Sequence, residues 1–423
     1  MARLLPFKGI LPAKKELEKV ISKPYDKYTR AEVESIVKSN PSSFLNIIKP
    51  ELARPELVRP ELAHRKKSSP EDPLSLRKSR ERFDEFLQKG IFQQADSPHF
   101  YIYRQTKPDF EYTGLIASIS ADDYSNGTIR IHEQTITRKE EKLKDYLKVV
   151  GINAEPVMFT YPHLHEIDAL INRLIHKPAY AEFNFDDKKH TLWEVSDPQS
   201  IAELEHAFSK VGHVYVADGH HRSASSALLA QELAKKHGNP GAQPWSRFMG
   251  VFFPDHNLQL LEFNRLLKDT NSLSEQEILQ ELSENFIIEF MPGDHFKPRV
   301  LHEISMYLNG HWYSLKLRHD RVNAKLTEKL DANILSSTIL STVFGIKDLR
   351  NDSRIDFLSG LHGPTELKKQ VDSGKFAVAF GLYPVSFEQF FAFSDAGNTM
   401  PPKSTWFEPK LLNGLVVYDL ELE

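Results

Sequence analysis

The stretch Val214-Tyr-Val-Ala-Asp218-Gly219-His220-His221-Arg222 runs from β-branched and aromatic residues into an acid, a glycine and three side chains that can carry positive charge. Val214 to Ala217 are typical of a buried strand, and apolar residues recur near helical spacing from Ser223 to Lys236. Asp218 to Arg222 therefore form a predicted strand-to-helix turn.

This turn is predicted to bind an anion such as phosphate. Unpaired backbone N–H groups and the positive end of a helix dipole meet at the start of a helix. Gly219 allows close backbone approach, and the Arg222 guanidinium can contact two phosphate oxygens. The alternative is a solvated turn in which Asp218 caps the helix while His221 and Arg222 are exposed. The combination of these residue types directly after a strand favours the functional interpretation.

The composition limits the classes of function. A chain of 423 residues suggests two or three domains, and 40% hydrophobic with 26% charged residues is typical of a soluble globular protein. The net charge of -4 gives no general reason to bind nucleic acid or an anionic membrane. The absence of cysteine excludes disulfides, a thiolate nucleophile and thiolate-ligated metals. With no signal-peptide core and no long apolar run, the expected location is cytoplasmic and no membrane partner is expected.

The chain is predicted to have three regions. Three near-identical pentads, each beginning Pro-Glu-Leu, follow one another from Pro50 to His64. Because their prolines prevent a regular helix, residues 50–75 are predicted to be a mobile insertion within an N-terminal region, 1–95. Strands and helices alternate over 96–270, which we interpret as a core domain, and a second α+β unit is expected over 271–423.

Several local patterns predict individual elements. The strand candidates 248–253 and 258–263 are predicted to pair as a hairpin, and the apolar run Phe376 to Leu382 is predicted to be a central strand. Thr137-Arg-Lys-Glu140 has the pattern of a helix capping box. Helices are expected within 322–343.

His132-Glu133 follows a predicted strand at 128–131 and precedes a helix. The Glu133 carboxylate could meet Asp218 from a neighbouring strand and act as a general base. From position alone a surface loop is the better interpretation, because the pair His-Glu is common.

Two further polar segments carry weaker signals. His163-Leu-His165-Glu166 could be mistaken for metal ligands, but zinc needs three or four convergent ligands, so we interpret this segment as a surface loop. Arg350-Asn-Asp352-Ser-Arg354 could contact phosphate or form an ion-paired loop, and the sequence does not decide between them.

Four segments together resemble a microbial family catalogued as domain of unknown function 1015, and the resemblance spans nearly the whole chain. They are Pro24-Tyr25-Asp26, His132-Glu133 with Thr135, Ala217 to Arg222, and the tail Met400-Pro-Pro-Lys403-Ser404-Thr405 with Phe407. The central part, about Tyr112 to Phe253, is similar to the ParB/sulfiredoxin-like fold. Its members place a Gly-His-Arg-type turn against nucleotide phosphates. The resemblance implies an α/β (α+β) chain with a ParB/sulfiredoxin-like mixed sheet core and a second C-terminal unit.

The chain also resembles the free serine kinases, which phosphorylate the amino acid with ADP or ATP, because His132-Glu133-Gln134 and Asp218 to Arg222 match their motifs in residue and order. The resemblance implies that Glu133 is the general base or a substrate-positioning acid, and that Asp218 assists the transfer or holds Mg²⁺. The implied phosphate-binding residues are Gly219, His220, His221, Arg222 and Ser223. The implied substrate-binding residues are His132, Thr135, Lys403, Ser404 and Thr405, the last three as a segment that closes over the substrate.

The sequence thus suggests an ATP- or ADP-dependent, magnesium-requiring kinase of a small hydroxylated metabolite, with free L-serine as the first candidate. The chain is much longer than the free serine kinases, so the identity of its acceptor cannot be inferred from theirs. The alternative is a ParB-like nucleotide-binding or DNA-associated switch without metabolite kinase activity, although the net acidity argues against nucleic acid as a partner. A homo-oligomer is compatible with the sequence.

Overall fold

The computed structural model describes residues 1–49, 73–238, 243–321 and 330–422. Most of the predicted insertion, residues 50–72, lies outside the described residues, as do residues 322–329 of the expected helices. The chain divides into two compact units. Unit 1 contains Met1–Arg130, Gln134–Leu258 and Pro409–Glu423, and unit 2 contains Ile131–Glu133 and Gln259–Glu408. Within the described ranges, no helix is long and apolar enough to cross a membrane.

Unit 1 is a mixed sheet with helices. Its described helices are α1 (Leu17–Val20), α2 (Arg30–Ser39), α3 (Leu45–Ile48), α4 (Pro73–Gln88), α5 (Asp122–Ser125), α6 (Thr137–Val150), α7 (His165–Leu174), α8 (Pro198–Phe208) and α9 (His220–His237). Its described strands are β1 (Leu4–Leu5), β2 (Ile10–Pro12), β3 (Phe92–Gln94), β4 (Phe100–Lys107), β5 (Phe110–Ser120), β6 (Ile129–Arg130), β7 (Ile152–Asn153), β8 (Val157–Tyr161), β9 (Ala181–Phe185), β10 (Lys188–Val195), β11 (Val214–Asp218), β12 (Arg247–Pro254) and β20 (Tyr418–Asp419).

The main sheet of unit 1 has the order β6-β11-β8-β12-β5-β4-β10-β9, with β1 also paired to β5. The pairs β6–β11 and β8–β12 are parallel, whereas β11–β8 and β12–β5 are antiparallel. Residues 112–119 of β5 and all of β8 are buried. Strands buried on both faces have continuous apolar sequences, which is why these strands show little alternation.

Unit 2 is a second α+β unit. Its described strands are β13 (Gln259–Leu267), β14 (Phe286–Met291), β15 (Glu303–Leu308), β16 (His311–Leu317), β17 (Ile355–Ser359), β18 (Val378–Gly381) and β19 (Thr405–Glu408). Its described helices are α10 (Glu275–Ser283), α11 (Asp331–Leu335), α12 (Gly363–Asp372) and α13 (Phe387–Asp395), with a π-helical turn at Ser336–Leu340. The sheet order β14-β16-β15-β18-β13-β17 confirms a central strand within residues 376–382. The α+β class predicted from sequence is also confirmed.

Three local predictions are wrong. The strands expected to form a hairpin at 248–263 do not pair, because β12 bonds with β5 and β8 while β13 bonds with β17, β18 and β19. The expected capping box is absent, since Ile136 is the N-cap of α6 and no side chain caps it. Residues 409–423, expected in the C-terminal region, belong to unit 1, where Val417 bonds with Ile10 and Tyr418 pairs with Asn153.

Gly250 in β12 lies at a tightly packed point of the sheet of unit 1. A Cβ atom at Gly250 would lie 2.6 Å from the Phe159 ring, which stacks on Phe252 with a centroid distance of 4.8 Å. We therefore expect Gly250→Ala to lower the free energy of unfolding by about 1–3 kcal/mol through overpacking. Urea denaturation measures this, with Gly212→Ala as the control because a Cβ atom at that position would have no neighbour within 4 Å. Equal effects of the two substitutions would contradict the packing argument.

Candidate functional site

The predicted strand-to-helix turn is present in unit 1. β11 ends at Asp218 and α9 begins at His220, with Gly219 between them at a φ of +102°. Residues other than glycine rarely adopt this backbone conformation. A Cβ at Gly219 would also lie 3.0 Å from the guanidinium carbon of Arg222. Glycine is therefore required here by the backbone angle and by the close approach of Arg222.

The Asp218 carboxylate lies between two cationic side chains. The Lys410 ammonium donates a hydrogen bond to Oδ2 at 3.0 Å, and Arg222 Nη2 lies 3.7 Å from Oδ1. Desolvation raises the pKa of Asp218, but attraction to Lys410 and Arg222 outweighs it and holds that pKa well below its ordinary value. The carboxylate is thus ionised at neutral pH, and 42% of the Asp218 side chain is exposed.

Arg222 is held on its other side by the segment that precedes β8. Its Nη1 atom lies 3.3 Å from Glu155 Oε1 and donates a hydrogen bond to the carbonyl of Pro156. The guanidinium therefore bridges Asp218 and Glu155. To contact two phosphate oxygens as the sequence predicted, Arg222 must exchange some of these contacts, and its phosphate role stays a prediction.

The two histidines of the turn are held neutral. Desolvation is the main reason why the pKa of His220 falls to about 4, although Asp218 opposes the shift. Desolvation, followed by repulsion from Lys139, also lowers the pKa of His221. His221 Nδ1 is a buried atom without a hydrogen-bond partner among the described residues. A neutral imidazole with the proton on this nitrogen can donate one hydrogen bond to a ligand.

Ser223, predicted to contact phosphate, is fully buried in the first turn of α9. Its backbone N–H donates to the carbonyl of Gly219 at 3.0 Å, and its hydroxyl lies 3.4 Å from the same oxygen. Its hydroxyl therefore faces the helix backbone in this structure.

A cavity of about 270 Å³ adjoins Arg222 within unit 1. Most of its lining is apolar, and its polar or charged lining residues are Tyr25, Lys49, Ser79, Tyr146, Asn153, Glu155, Arg222, Ser226 and Asn413. Asn413 is 2% exposed, and its Oδ1 atom is buried without a hydrogen-bond partner in the described parts of the chain. The Lys49 ammonium lies 4.7 Å from the centre of the Tyr25 ring.

Neither this cavity nor the contact of Lys410 with Asp218 was predicted from the sequence. The tail was expected to close over the substrate through Lys403, Ser404 and Thr405, but nothing in the sequence linked Lys410 to a turn 192 residues earlier. Tyr25, within the Pro24-Tyr25-Asp26 motif, was the one available signal for the cavity.

Several predicted substrate-binding residues meet inside unit 2. His132 is 3% exposed, its Nε2 lies 3.1 Å from Thr405 Oγ1, and its ring packs edge-on against Phe390. The Ser404 hydroxyl donates to the carbonyl of Pro401 at 2.8 Å. These contacts are structural in character, and a role in binding stays a prediction.

The remaining predicted residues are divided between the units. Lys403 has a φ of +58°, and its ammonium lies 5.2 Å from the centre of the Phe263 ring. Glu133 belongs to unit 2, whereas Thr135 belongs to unit 1, where its hydroxyl is hydrogen-bonded to Tyr124.

The surroundings of Asp218 do not fit a resident magnesium ion. Mg²⁺ requires several oxygen ligands, but both carboxylate oxygens of Asp218 face cationic side chains, Lys410 and Arg222. A cation at this carboxylate would be repelled by both. The prediction that Asp218 holds the metal is therefore not supported by its neighbours.

The segment from Arg350 to Arg354 is an ion-paired loop. Arg354 Nη2 lies 2.8 Å from Asp352 Oδ2, and its Nη1 donates to the carbonyl of Phe344 at 3.0 Å. Its guanidinium is thus engaged in holding the loop.

Comparisons with known proteins give one family match. A family model described as "Protein of unknown function (DUF1015)" matches residues 4–333. No curated protein matches the chain. Among solved structures, a free serine kinase in complex with AMP is 13% identical with a TM-score of 0.37, covering 72% of this chain and 92% of that one. A conserved hypothetical protein from Pyrococcus furiosus is 14% identical with a TM-score of 0.37, covering 72% and 96%. Similarity at this level carries no inference about activity.

The buried His220 predicts a pH dependence of stability. In the unfolded chain the His220 imidazole takes up a proton near pH 6.5. In the folded protein the same imidazole takes up a proton only near pH 4. The free energy of unfolding should therefore fall as the pH is lowered through this window, by up to about 3 kcal/mol from this group.

His220→Gln should flatten the fall between pH 6.5 and pH 4, as measured by denaturant unfolding at each pH. The control is His176→Gln, which changes an exposed histidine. If His220→Gln retains the full wild-type slope, the burial of a neutral His220 is contradicted.

Proposed function

The chain belongs to the DUF1015 family of proteins of unknown function, and we propose that it binds a nucleotide at the Asp218 to Arg222 turn and transfers a phosphoryl group to a small hydroxylated metabolite. Free L-serine is the first candidate for the acceptor, because of the resemblance of His132-Glu133-Gln134 and the turn to the free serine kinases. The observation that carries the proposal is that Lys410 and Arg222 meet at Asp218, beside the start of α9, and that Arg222 also lines a cavity.

The nucleotide phosphates are proposed to lie at the start of α9. This helix has 18 residues, so its first backbone N–H groups carry the positive end of a full helix dipole. Lys410 and Arg222 add two positive charges once a phosphate displaces their carboxylate partners Asp218 and Glu155, and His221 Nδ1 is a buried donor without a partner within the described residues. Positively charged donors beside the transferred group are what phosphoryl transfer requires.

The apolar part of the nucleotide is proposed to enter the cavity beside Arg222. Its volume of about 270 Å³ lies near the lower end of small-molecule sites, and its mostly apolar lining suits a planar base. Asn413 Oδ1 is an acceptor without a partner in the described chain, and Asn153 Oδ1 accepts the Met249 N–H, which leaves the Asn153 amide N–H groups for a ligand. The cavity therefore offers a donor and an acceptor in an apolar setting.

Of the two acids that the sequence left as candidate bases, Glu133 is the better choice. A general base works best when its pKa is near the working pH, whereas Lys410 and Arg222 hold the pKa of Asp218 far below it. We assign Asp218 the role of orienting Lys410 and Arg222.

The proposed reaction is an in-line transfer. The acceptor hydroxyl oxygen attacks the γ-phosphorus of ATP or the β-phosphorus of ADP, and the bond from that phosphorus to the bridging oxygen of the nucleotide breaks. The hydroxyl proton passes to the Glu133 carboxylate. Magnesium is proposed to arrive on the donor phosphates as part of the substrate.

Residues 96–270 are proposed to be ParB/sulfiredoxin-like, and the protein to be cytoplasmic.

Nucleotide binding can be tested by thermal denaturation with ATP, ADP and AMP in magnesium buffer. A nucleotide at 100 times its dissociation constant should add about 2.7 kcal/mol to the free energy of unfolding. Lys410→Met should remove most of that gain because it deletes a phosphate-binding charge. Lys235→Met, at the far end of α9, is the matched control. Stabilisation that is unchanged in Lys410→Met would place the phosphates elsewhere.

The transfer itself can be tested by mass detection of phosphoserine and of other phosphorylated hydroxy metabolites. Glu133→Gln should reduce turnover at least about 100-fold while leaving the nucleotide-induced stabilisation intact. Glu141→Gln, which changes an exposed acid paired with Lys144, should leave turnover near wild type. Nucleotide binding by the wild type without any phosphorylated product would refute the kinase and support the nucleotide-binding switch.

A further inference from the structure

Two neighbouring parallel strands in unit 1 end side by side and deliver potential metal ligands. β8 and β12 are paired so that Tyr161 lies opposite Pro254 at their carboxyl ends. His163 follows β8 by two residues, and Asp255 and His256 follow β12 directly. The sheet register therefore brings together side chains that are far apart in the sequence.

The ligand atoms of these three residues have the spacing of a coordination site. His163 Nδ1 lies 3.1 Å and His256 Nδ1 lies 3.6 Å from Asp255 Oδ1. One ligand atom from each residue falls in a group in which all lie within 4.8 Å of one another. Around a tetrahedral zinc ion with ligand distances of about 2.0–2.1 Å, neighbouring ligand atoms are roughly 3.3–3.4 Å apart. An ion therefore fits with small side-chain adjustments.

A fourth residue, Asp168, lies near the second ring nitrogen of His256. His256 Nε2, on the far side of the ring from Nδ1, lies 3.9 Å from Asp168 Oδ2 in the first turn of α7 and 3.5 Å from the Asn257 amide. A carboxylate that accepts a hydrogen bond from the second ring nitrogen raises the basicity of a ligating histidine, and Asp168 must approach by about 1 Å to accept one. Asp255 is also oriented, because its Oδ1 accepts the His256 backbone N–H at 2.8 Å.

We propose that His163, Asp255 and His256 form a binding site for a divalent transition metal ion of the zinc type. Two imidazoles and one carboxylate suit Zn²⁺, Co²⁺ or Ni²⁺ better than Mg²⁺ or Ca²⁺, which prefer oxygen ligands. The side chains of His163 and His256 are 58% and 49% exposed, so the ion is accessible and water completes its coordination. No ion is needed to hold this region together, because its strands are already paired.

This site is independent of the proposed nucleotide site. β11 runs antiparallel to β8 and places Asp218 opposite Met158, near the amino end of β8. His163 follows the carboxyl end of the same strand. A variant can therefore lose metal binding without losing nucleotide binding, so the two proposals can be tested independently.

The interpretation of His163-Leu-His165-Glu166 as a surface loop is wrong for His165 and Glu166, because these two residues begin α7. Glu166 forms an ion pair with Lys210, and His165 is not part of the cluster. The additional ligands come from residues 255 and 256, which no local pattern associates with His163.

Equilibrium dialysis of the untagged full-length protein against Zn²⁺, with metal quantified by mass spectrometry, tests the proposal. The wild type should bind one more equivalent of zinc than the double variant His163→Ala/His256→Ala. His165→Ala is the matched control and should bind as the wild type does. Asp168→Asn should weaken binding about 10- to 100-fold, as expected for the loss of a carboxylate behind a ligating histidine. Bound Co²⁺ should give the visible absorption of a low-coordinate nitrogen and oxygen site in the wild type and lose it in the double variant.

Two results would overturn the proposal. One is the absence of stoichiometric zinc from the wild type. The other is equal uptake by the wild type and the double variant, which would assign the zinc to other surface groups. In either case the contacts of His163 and His256 with Asp255 and Asp168 are ion pairs only. Circular dichroism of the double variant shows whether it is folded, and Asp168→Asn, which keeps all three ligands, tests the proposal if it is not.

Discussion

The hydrogen-bonded register of β8 determines the positions of the polar groups in unit 1. All five residues of this strand are buried, and it is paired antiparallel to β11 and parallel to β12. At its amino end, Glu155 and Pro156 hold the Arg222 guanidinium beside the start of α9. Beyond its carboxyl end, His163 reaches the residues that follow β12. A slip by one residue would turn every side chain of β8 to the opposite face and separate both groups of contacts.

The parts of the site that were predictable from sequence are those made by adjacent residues. The strand from Val214 and the turn into a helix follow from local side-chain chemistry and were confirmed, although the helix begins at His220, three residues before the predicted Ser223. Lys410 could not be linked to Asp218, because that contact depends on the path of the whole tail. The cavity beside Arg222 was missed for the same reason, since its lining comes from many separate segments.

The failed predictions have the same cause. The strands at 248–263 are close in sequence and strongly apolar, a pattern typical of a hairpin, yet each finds its partners in a different sheet. Strand pairing is decided by burial of both faces, which local sequence does not encode. At 137–140 the capping pattern was present, but the helix begins with Ile136 as its N-cap, so Thr137 lies one position too far along to cap it.

The balance of charge at the turn constrains any ligand. Among the described residues, the carboxylates of Asp218 and Glu155 face the two cations Arg222 and Lys410, so the four groups sum to zero net charge. The histidines add none, because desolvation keeps His220 and His221 neutral. Attraction for phosphate must then come from the helix dipole and from rearrangement of Arg222 away from its carboxylates. A polyphosphate carries more negative charge than these can offset, so the proposed donor is best accommodated with its own bound magnesium.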